Sequence, residues 1–266
     1  MSEKNIYDIA IGASIEAGLK IMEIYRTSDF GVTHKDDQSP LTLADRAAHQ
    51  VIAQALKSTA IPLLSEEGKS IPYDERKHWK RFWLVDPLDG TKEFIKKNGE
   101  FTVNIALIEK GKPVFGVVYA PDLEELYVGI EGEGAWILKN PTVDISTDTV
   151  KENAAGIPLP SPGKNKTYKV VASRSHLNSE TEEHLEQLRQ THKEVEIVSK
   201  GSSLKICMVA KGDADEYPRL GPTIEWDVAA AHAVALAAGK SITIFGTETP
   251  LTYNKENLLN PYFLVK

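Results

Sequence analysis

The fold of this chain is organised around one stretch, Trp83-Leu84-Val85-Asp86-Pro87-Leu88-Asp89-Gly90-Thr91-Lys92-Glu93-Phe94. The apolar run over residues 82–85 predicts a buried strand that ends at Asp86, because Pro87 cannot donate to a sheet ladder. Pro87 also favours an extended backbone at the residue before it, so we expect the Asp86 carboxylate to project rigidly from the strand end. Glycine accepts a positive φ, and Asp89-Gly90 therefore predicts a tight turn. A short helix is expected to begin near Thr91, with its free N–H groups facing the same turn.

Two interpretations of this turn are open. Asp86 and Asp89 could converge on one hard cation or on two neighbouring ones, with the Leu88 carbonyl as a further oxygen ligand. Asp-Pro and Asp-Gly pairs are also common in surface turns that carry no function. The alternating acids of a calcium-binding EF-hand loop are missing. The rest of the chain favours the cation, because further acids stand at the ends of other predicted elements.

Size and composition indicate a globular protein with a buried core. The 266 residues are 41% hydrophobic and 26% charged, which is ordinary for this class. The net charge of −7 argues against a nucleic-acid groove as the main function of the surface. The single cysteine, Cys207, excludes an internal disulfide and indicates a reducing compartment.

The sequence carries no sign of export or of membrane insertion. Residues 1–8 are polar and acidic and lack the apolar core of a signal peptide. No apolar run reaches the length of a membrane span. We therefore expect a cytoplasmic protein. Loose attachment to the cytoplasmic face of the inner membrane, and the choice between a monomer and a homodimer, are left open by the sequence.

Residues 1–138 predict an α+β arrangement. Apolar residues at helical spacing indicate a helix over residues 4–26, and a second helix follows Pro40. Residues 61–64 predict a short buried strand. Lys110-Gly111 lies between two β-rich runs and predicts a hairpin. Further strands are expected at residues 125–130 and 135–138.

The pattern changes after residues 139–166, a polar segment rich in Pro, Gly, Asn and Thr that we interpret as a connection between two halves. Strands and helices alternate over residues 167–266, which indicates an α/β arrangement. The expected strands are at residues 168–172, 195–198, 214–217 and 241–245. The expected helices are at residues 180–190, 202–211 and 228–238.

Acids stand at the ends of several of these elements. Asp45 lies in the first turn of the second helix, Glu66 follows a strand, and Asp227 precedes the last helix. Each has an ordinary alternative role: a capping-box acid for Asp45, an N-cap for Asp227 and a solvated acid for Glu66. Oxygen donors without clustered His or Cys favour Mg²⁺ or Mn²⁺ over zinc.

Two such ions suit a particular reaction. At a separation of roughly 3.5–4 Å, one ion can activate water while the other holds the leaving oxygen of a phosphate ester. Phosphate ester hydrolysis is among the slowest known reactions without a catalyst, so it needs strong electrostatic stabilisation. Thr91 could orient or deprotonate the attacking water, with Asp45 behind it.

Three motifs together resemble the lithium-sensitive, Mg²⁺-dependent inositol monophosphatase superfamily across nearly the whole chain. They are Ser65-Glu66-Glu67, the stretch from Trp83 to Thr91, and Glu225-Trp226-Asp227-Val228-Ala229-Ala230. Two further segments are similar to the 3′(2′),5′-bisphosphate nucleotidase branch: Lys92-Glu93-Phe94-Ile95 and Asn98-Gly99-Glu100-Phe101-Thr102-Val103-Asn104-Ile105. Inositol monophosphatases typically have Thr-Asn in place of Lys92-Glu93.

The resemblance implies a fold and a site. The fold would be a layered α-β-α-β-α sandwich in which residues 1–138 carry most metal ligands and residues 167–266 close the substrate site, as one catalytic unit. Two or three Mg²⁺ ions, or Mn²⁺ as a substitute, would be held by Glu66, Asp86, the Leu88 carbonyl, Asp89 and Asp227. The catalytic group would be Asp45, Thr91 and Glu66. The substrate would contact Glu66, Leu88, Asp89, the Gly90 and Thr91 backbone, His176, Ser202, Lys205, Arg219 and Asp227.

The implied activity is hydrolysis of the 3′-phosphate of adenosine 3′,5′-bisphosphate to AMP and phosphate, and also conversion of the sulfated nucleotide PAPS to APS. The partner would thus be a small nucleotide bisphosphate, with no nucleic acid. Inositol monophosphate or fructose 1,6-bisphosphate is the alternative substrate. A nucleotide or metal sensor without catalysis is the alternative of another class, disfavoured because every expected carboxylate position holds an acid.

Overall fold

The computed structural model describes residues 2–27, 31, 33–34, 40–153, 155–156, 167–172 and 178–266. His176 lies outside these residues. The helices are α1 (Glu3–Tyr25), α2 (Leu43–Leu56), α3 (Tyr73–Arg76), α4 (Thr91–Ile95), α5 (Thr147–Asn153), α6 (Ser179–Thr191), α7 (Leu204–Lys211) and α8 (Glu225–Ala237), with a 3₁₀ turn at Lys57–Thr59. The strands are β1 (Thr33–His34), β2 (Pro40–Leu41), β3 (Leu63–Ser65), β4 (Arg81–Asp89), β5 (Thr102–Glu109), β6 (Lys112–Ala120), β7 (Glu125–Ile130), β8 (Gly134–Lys139), β9 (Ala155–Gly156), β10 (Tyr168–Val171), β11 (Val195–Val198), β12 (Tyr217–Arg219), β13 (Ile242–Ile244) and β14 (Phe263–Val265).

A seven-stranded sheet in the order β3-β4-β5-β6-β7-β8-β9 forms the centre of the molecule. β3 and β4 run parallel, whereas the ladders from β4 to β9 are antiparallel. The predicted hairpin between β5 and β6 is present, and both of its turn residues, Lys110 and Gly111, have positive φ. That backbone matches the twist of the two flanking strands.

β4 is buried on both faces, which explains its unbroken apolar sequence. Phe82 and Leu84 pack into one core together with α7 and α8. Trp83 and Val85 point the other way, into a second core with α1 and α2. Alternate side chains of a strand face opposite sides, so this one strand joins both cores and holds its C-terminal end firmly in the sheet.

The helices and a second group of strands complete the layers. α1 and α2 cover one face of the large sheet, α8 covers the other, and α7 packs against α8. Beyond α7 and α8 lie the parallel pair β10–β11 and the antiparallel sheet β12-β14-β13, with α6 packed against β11. This is the α-β-α-β-α sandwich expected from the sequence.

Some element boundaries differ from the predictions. β4 continues past Asp86 to Asp89, because a local irregularity in its ladder accommodates Pro87. The strand expected at residues 214–217 begins instead at Tyr217 and carries Arg219. The helix expected from residue 202 begins at Leu204, since Ser202 has a φ of 53°.

The division into two halves stays a prediction. In its described part, the connecting segment 139–166 contains α5 and β9, and β9 pairs with β8 at the edge of the large sheet. α8 comes from the second half but packs on the sheet of the first. Among the described residues, no helix is both long and apolar enough to cross a membrane.

Candidate active site

The end of β4 carries a bulge that displays the paired aspartates. Asp86 lies opposite Asn104 of β5 and Asp89 opposite Thr102, so β4 has one residue more than its partner over this interval. Bulges of this kind bend a strand and re-aim its side chains. The Asp86 carboxylate accepts a hydrogen bond from the Leu88 N–H at 3.1 Å, which fixes it within the bulge. Gly90 follows with a φ of 91°, a conformation that favours glycine, and α4 begins at Thr91.

Asp45 and Thr91 form the pair expected from the sequence. Oδ2 of Asp45 accepts the Thr42 backbone N–H at 2.7 Å, and the Thr42 side chain accepts from the helix backbone in return, which makes the capping box of α2. The same Oδ2 also accepts the Thr42 hydroxyl at 2.5 Å. Oδ1 of the same carboxylate lies 3.2 Å from the Thr91 hydroxyl oxygen. The capping role of Asp45 is thus confirmed, and its second oxygen is placed against Thr91, so the two proposed roles of this carboxylate use different oxygens.

Asp227 is placed in the same way at the start of α8. The N-cap of this helix is Ile224, and Asp227 is its third residue, so the expectation that Asp227 is the N-cap was wrong. Its Oδ2 accepts the Ile224 N–H at 2.8 Å. Asp227 thus resembles Asp45: each carboxylate stabilises its own helix start with one oxygen.

Electrostatics tie four carboxylates into one group. Burial raises the pKa of Asp86 well above its usual value, and the negative charges of Glu66, Asp89 and Asp227 raise it further. Burial and the charge of Asp89 raise the pKa of Asp227 in the same direction, while the Ile224 N–H opposes the change. Like charges act on each other this strongly only when they are close together. Glu66, Asp86, Asp89 and Asp227 come from distant positions in the chain but lie close enough for their charges to interact.

A loop from the second half closes on Asp89. Oδ2 of Asp89 accepts hydrogen bonds from the Ser202 hydroxyl and, at 2.8 Å, from the Ser203 N–H. Gly201 makes this approach possible, since a Cβ atom there would lie 2.5 Å from the Glu100 carbonyl oxygen. Any larger residue would push the loop away from the first half.

A cavity of about 290 Å³ opens beside these groups. Its lining includes the expected residues Asp89, Gly90, Ser202, Lys205, Arg219 and Asp227. Asp45, Glu66, Asp86, Leu88 and Thr91 are not part of this lining. These five residues are linked to the cavity-lining acids by the hydrogen bonds and charges described above. The Leu88 carbonyl oxygen also lies 3.4 Å from the Thr91 hydroxyl oxygen.

The donor set fits Mg²⁺, a hard cation that prefers oxygen ligands. A cation would relieve the repulsion that raises the pKa of Asp86. As the side chains lie, no three acidic, histidine or cysteine side chains in the described parts of the chain are gathered around a space that suits a metal ion. From the described residues, the hydrogen bonds to Asp89 and Asp227 go to Oδ2 of each carboxylate, and Oδ1 of each is the atom that could face a cation.

Sequence reasoning missed a polar network on β5 that supports the site. Asn104 is fully buried and donates from Nδ2 to the Ser203 hydroxyl oxygen at 2.7 Å. Thr102, also buried, lies 2.6 Å from the Ser202 hydroxyl oxygen. Two polar residues on the same face of an otherwise apolar strand were the sequence feature that could have predicted this network. Lys92 and Lys96 were missed as well, although both line the cavity.

Comparison with known proteins gives a consistent result. The model of the inositol monophosphatase family matches residues 2–262. The chain is 48% identical, over 94% of its own length and 94% of the relative's, to the 3′(2′),5′-bisphosphate nucleotidase CysQ of Shigella flexneri. It is 47% identical, with the same coverage, to the enzyme of that name from Escherichia coli K12.

Solved structures agree with this result. The crystal structure of CysQ from Bacteroides thetaiotaomicron, described as a bacterial member of the inositol monophosphatase family, superimposes with a TM-score of 0.91. It is 48% identical in sequence and covers 99% of this chain and 97% of its own. The chain belongs to the inositol monophosphatase family.

Proposed function

We propose that this chain is a Mg²⁺-dependent phosphatase that removes the 3′-phosphate of adenosine 3′,5′-bisphosphate to give AMP and inorganic phosphate. The observation that carries the proposal is the 48% identity, over 94% of the chain, to a protein named as a 3′(2′),5′-bisphosphate nucleotidase. The fold, the clustered acids and the adjoining cavity supply the parts that such a reaction needs.

The charges around the cavity favour a substrate with two phosphates. Four cationic side chains line the same cavity as Asp89 and Asp227: Lys92, Lys96, Lys205 and Arg219. The lining also holds the acids Asp89, Glu93 and Asp227, so its cations outnumber its acids in a chain whose net charge is −7, which favours a polyanion at this place. The Nε atom of Arg219 is buried and has no hydrogen-bond partner among the described residues, which suits an acceptor on a bound ligand.

Glu66, Asp86, the Leu88 carbonyl, Asp89 and Asp227 would hold the metal ions. When bound, these ions would lower the pKa of water and neutralise charge on the phosphoryl group. The backbone N–H groups of Gly90 and Thr91 would contact the phosphate, because Gly90 allows a close approach at the start of α4.

Thr91 and Asp45 would handle the attacking water. The Thr91 hydroxyl donates a hydrogen bond to Oδ1 of Asp45, so the Thr91 oxygen can accept a hydrogen bond from a water molecule. That water is then oriented towards phosphorus, and its proton can pass through the Thr91 hydroxyl to the carboxylate. The P–O bond breaks on the far side, its electron pair stays on the 3′ oxygen, and this oxygen takes a proton from solvent water to leave as a hydroxyl group.

Lys205 and Ser202 would border the nucleotide. The Lys205 ammonium group donates to the Ser202 carbonyl oxygen at 3.0 Å, which holds this cation at the cavity. Residues 1–138 would supply most metal ligands and residues 167–266 the nucleotide contacts. The chain has one cysteine, Cys207, and so no internal disulfide, which supports a location in the reducing cytoplasm.

A phosphate-release assay with Mg²⁺ tests the proposal. The substrates are adenosine 3′,5′-bisphosphate, adenosine 3′-monophosphate, inositol 1-phosphate and fructose 1,6-bisphosphate at equal concentrations. We expect the highest kcat/KM for the nucleotide bisphosphate, AMP as its product, and loss of activity with EDTA. Faster turnover of inositol phosphate would assign the protein to another branch of the family, and no turnover of any substrate would contradict catalysis.

A further inference from the structure

Glu225 is a fully buried carboxylate two residues before Asp227. Its Oε2 accepts the Asn254 N–H at 2.7 Å, and its Oε1 accepts the Lys255 N–H at 2.9 Å and the Lys255 ammonium group at 2.6 Å. A buried carboxylate is tolerated only when it is paired and hydrogen-bonded in this way. Glu225 therefore fixes the first turn of α8 to one turn of the chain near the C-terminus.

Residues 254–260, here called the strap, hold the start of α8 at further points. The Glu225 N–H donates to the Leu258 carbonyl at 3.0 Å. Asn260 donates from its backbone to the Thr223 carbonyl at 2.8 Å, and from Nδ2 to the Ile224 carbonyl at 2.9 Å. The N-cap residue of α8 and its neighbours on both sides are thus hydrogen-bonded to the strap.

The same strap is attached to the first half of the chain through Arg76 of α3. This guanidinium group is buried, with 3% exposure, and donates to the Asn254 Oδ1, the Lys255 carbonyl and the Glu256 carbonyl at 2.9, 2.6 and 2.8 Å. Asn254 has a φ of 68° and donates back from Nδ2 to the Arg76 carbonyl at 2.8 Å. Two reciprocal hydrogen bonds therefore join Arg76 and Asn254.

α3 lies in the connection that leads from β3 to β4, and this connection begins with Glu66. The strap consequently touches the segment that carries Glu66 on one side and the helix that carries Asp227 on the other. These two acids come from opposite halves of the chain, and both raise the pKa of Asp86. Their separation is a property that a metal site must control closely, to about 0.5 Å.

We propose that the strap and its anchors Arg76 and Glu225 position Asp227 relative to Glu66 for divalent-cation binding. Arg76, Glu225, Asn254 and Lys255 are then positioning residues that never touch the ion or the substrate. The inference rests on the proposed metal-dependent function. A loosened strap would leave the helix and the core in place but would weaken the affinity for the ions.

The test uses the full chain and measures Mn²⁺ binding by electron paramagnetic resonance, a readout that is independent of turnover. Asn254→Gly keeps the positive φ but removes both side-chain hydrogen bonds to Arg76. Its matched control is Asn140→Gly, a second asparagine with positive φ, exposed and away from the cavity. We expect the Mn²⁺ Kd to rise about tenfold in Asn254→Gly and to stay at the wild-type value in the control.

Lys255→Met is the second variant, because it removes only the ammonium group, which is partly exposed, and leaves the backbone donors to Glu225. We expect a rise of the Kd in the same direction, measured well below the melting temperature of each variant. A lower melting temperature with unchanged Mn²⁺ affinity in either folded variant would overturn the inference and leave the proposed function intact. If the wild-type chain binds no Mn²⁺, the metal-dependent function itself is contradicted.

Discussion

Oγ1 of Thr91 lies 3.2 Å from Oδ1 of Asp45, although 46 positions separate the two residues in the chain. The start of α2 and the start of α4 must meet for this contact to form. The contact matters because a hydroxyl that donates to a carboxylate can orient water and pass on its proton.

Replacing Thr91 by Val should reduce kcat by about 100-fold or more, because general-base assistance contributes at least that much. KM should change little, since valine has the same shape as threonine. Steady-state kinetics on adenosine 3′,5′-bisphosphate check this, with Thr91→Ser as the control that keeps the hydroxyl. A kcat close to that of the wild type in Thr91→Val would remove Thr91 from the mechanism.

Replacing Asp89 by Asn should preserve the fold and lower turnover to about 1% or less, because the carboxamide lacks the charge that a cation needs. The amide oxygen can still accept the Ser203 N–H, so the loop contact survives. The far-UV spectrum, the melting temperature and the rate are compared with those of Asp144→Asn, which changes an exposed aspartate. Near-normal rates in Asp89→Asn would mean that the site is misassigned.

Mg²⁺ should raise the melting temperature by several degrees. The clustered acids repel one another in the folded protein, as the raised pKa of Asp86 indicates, and a bound cation stabilises only the folded state. At a concentration about 100 times Kd the gain is about 2.7 kcal/mol. Thermal unfolding with Mg²⁺ and with EDTA measures it. Asp227→Asn should show a smaller rise, and equal curves for the wild type in both buffers would argue against the metal site.

Replacing Arg219 by Met should raise KM for the nucleotide bisphosphate more than it lowers kcat. Its guanidinium group lines the cavity and carries a buried Nε that has no partner within the described ranges, so a bound substrate is the natural acceptor. Arg189→Met, which changes an exposed arginine on α6, is the control. An unchanged KM would place the nucleotide elsewhere.

Acidification should destabilise the protein through His232. Burial lowers the pKa of this residue to about 3, and its Nδ1 lies 2.7 Å from the Tyr253 hydroxyl oxygen. The unfolded chain therefore binds a proton near pH 6.5 that the folded chain binds only near pH 3, so stability falls as the pH drops through this window. The loss from this residue is about 2 kcal/mol at pH 5.

Urea unfolding at pH 7 and pH 5 measures this loss. The double variant His232→Phe with Tyr253→Phe removes the titrating ring without leaving its partner hydroxyl unpaired. It should lose less stability between the two pH values than the wild type does. His78→Gln, at an exposed position, should behave like the wild type. Identical losses in the double variant and the wild type would contradict the role of His232.

Local patterns were sufficient for much of the fold and for the acids of the site. The buried run at residues 82–85, the hairpin at Lys110-Gly111 and the capping box of Asp45 depend on neighbouring residues, and all three are present. These patterns placed the acids at the ends of elements, but the full set of metal ligands came from the resemblance to a known family, because no local rule brings Asp227 near Asp86.

The sequence could not predict contacts that depend on the exact path of a distant loop. Ser202 adopts a positive φ, which is uncommon for serine, and it does so where its loop meets Asp89 and Thr102. The helix expected from residue 202 was therefore too long. The strap was missed for the same reason, since residues 254–260 have no regular secondary structure and act only through their contacts with Arg76 and Glu225.

The shared placement of Asp45 and Asp227 has a consequence for the dynamics of the site. Each carboxylate closes the first turn of its own helix, so fraying of that turn would carry a functional group away at the same moment. Amide hydrogen exchange at the beginning of α2 and α8 would then report directly on how often the proposed site opens and re-forms.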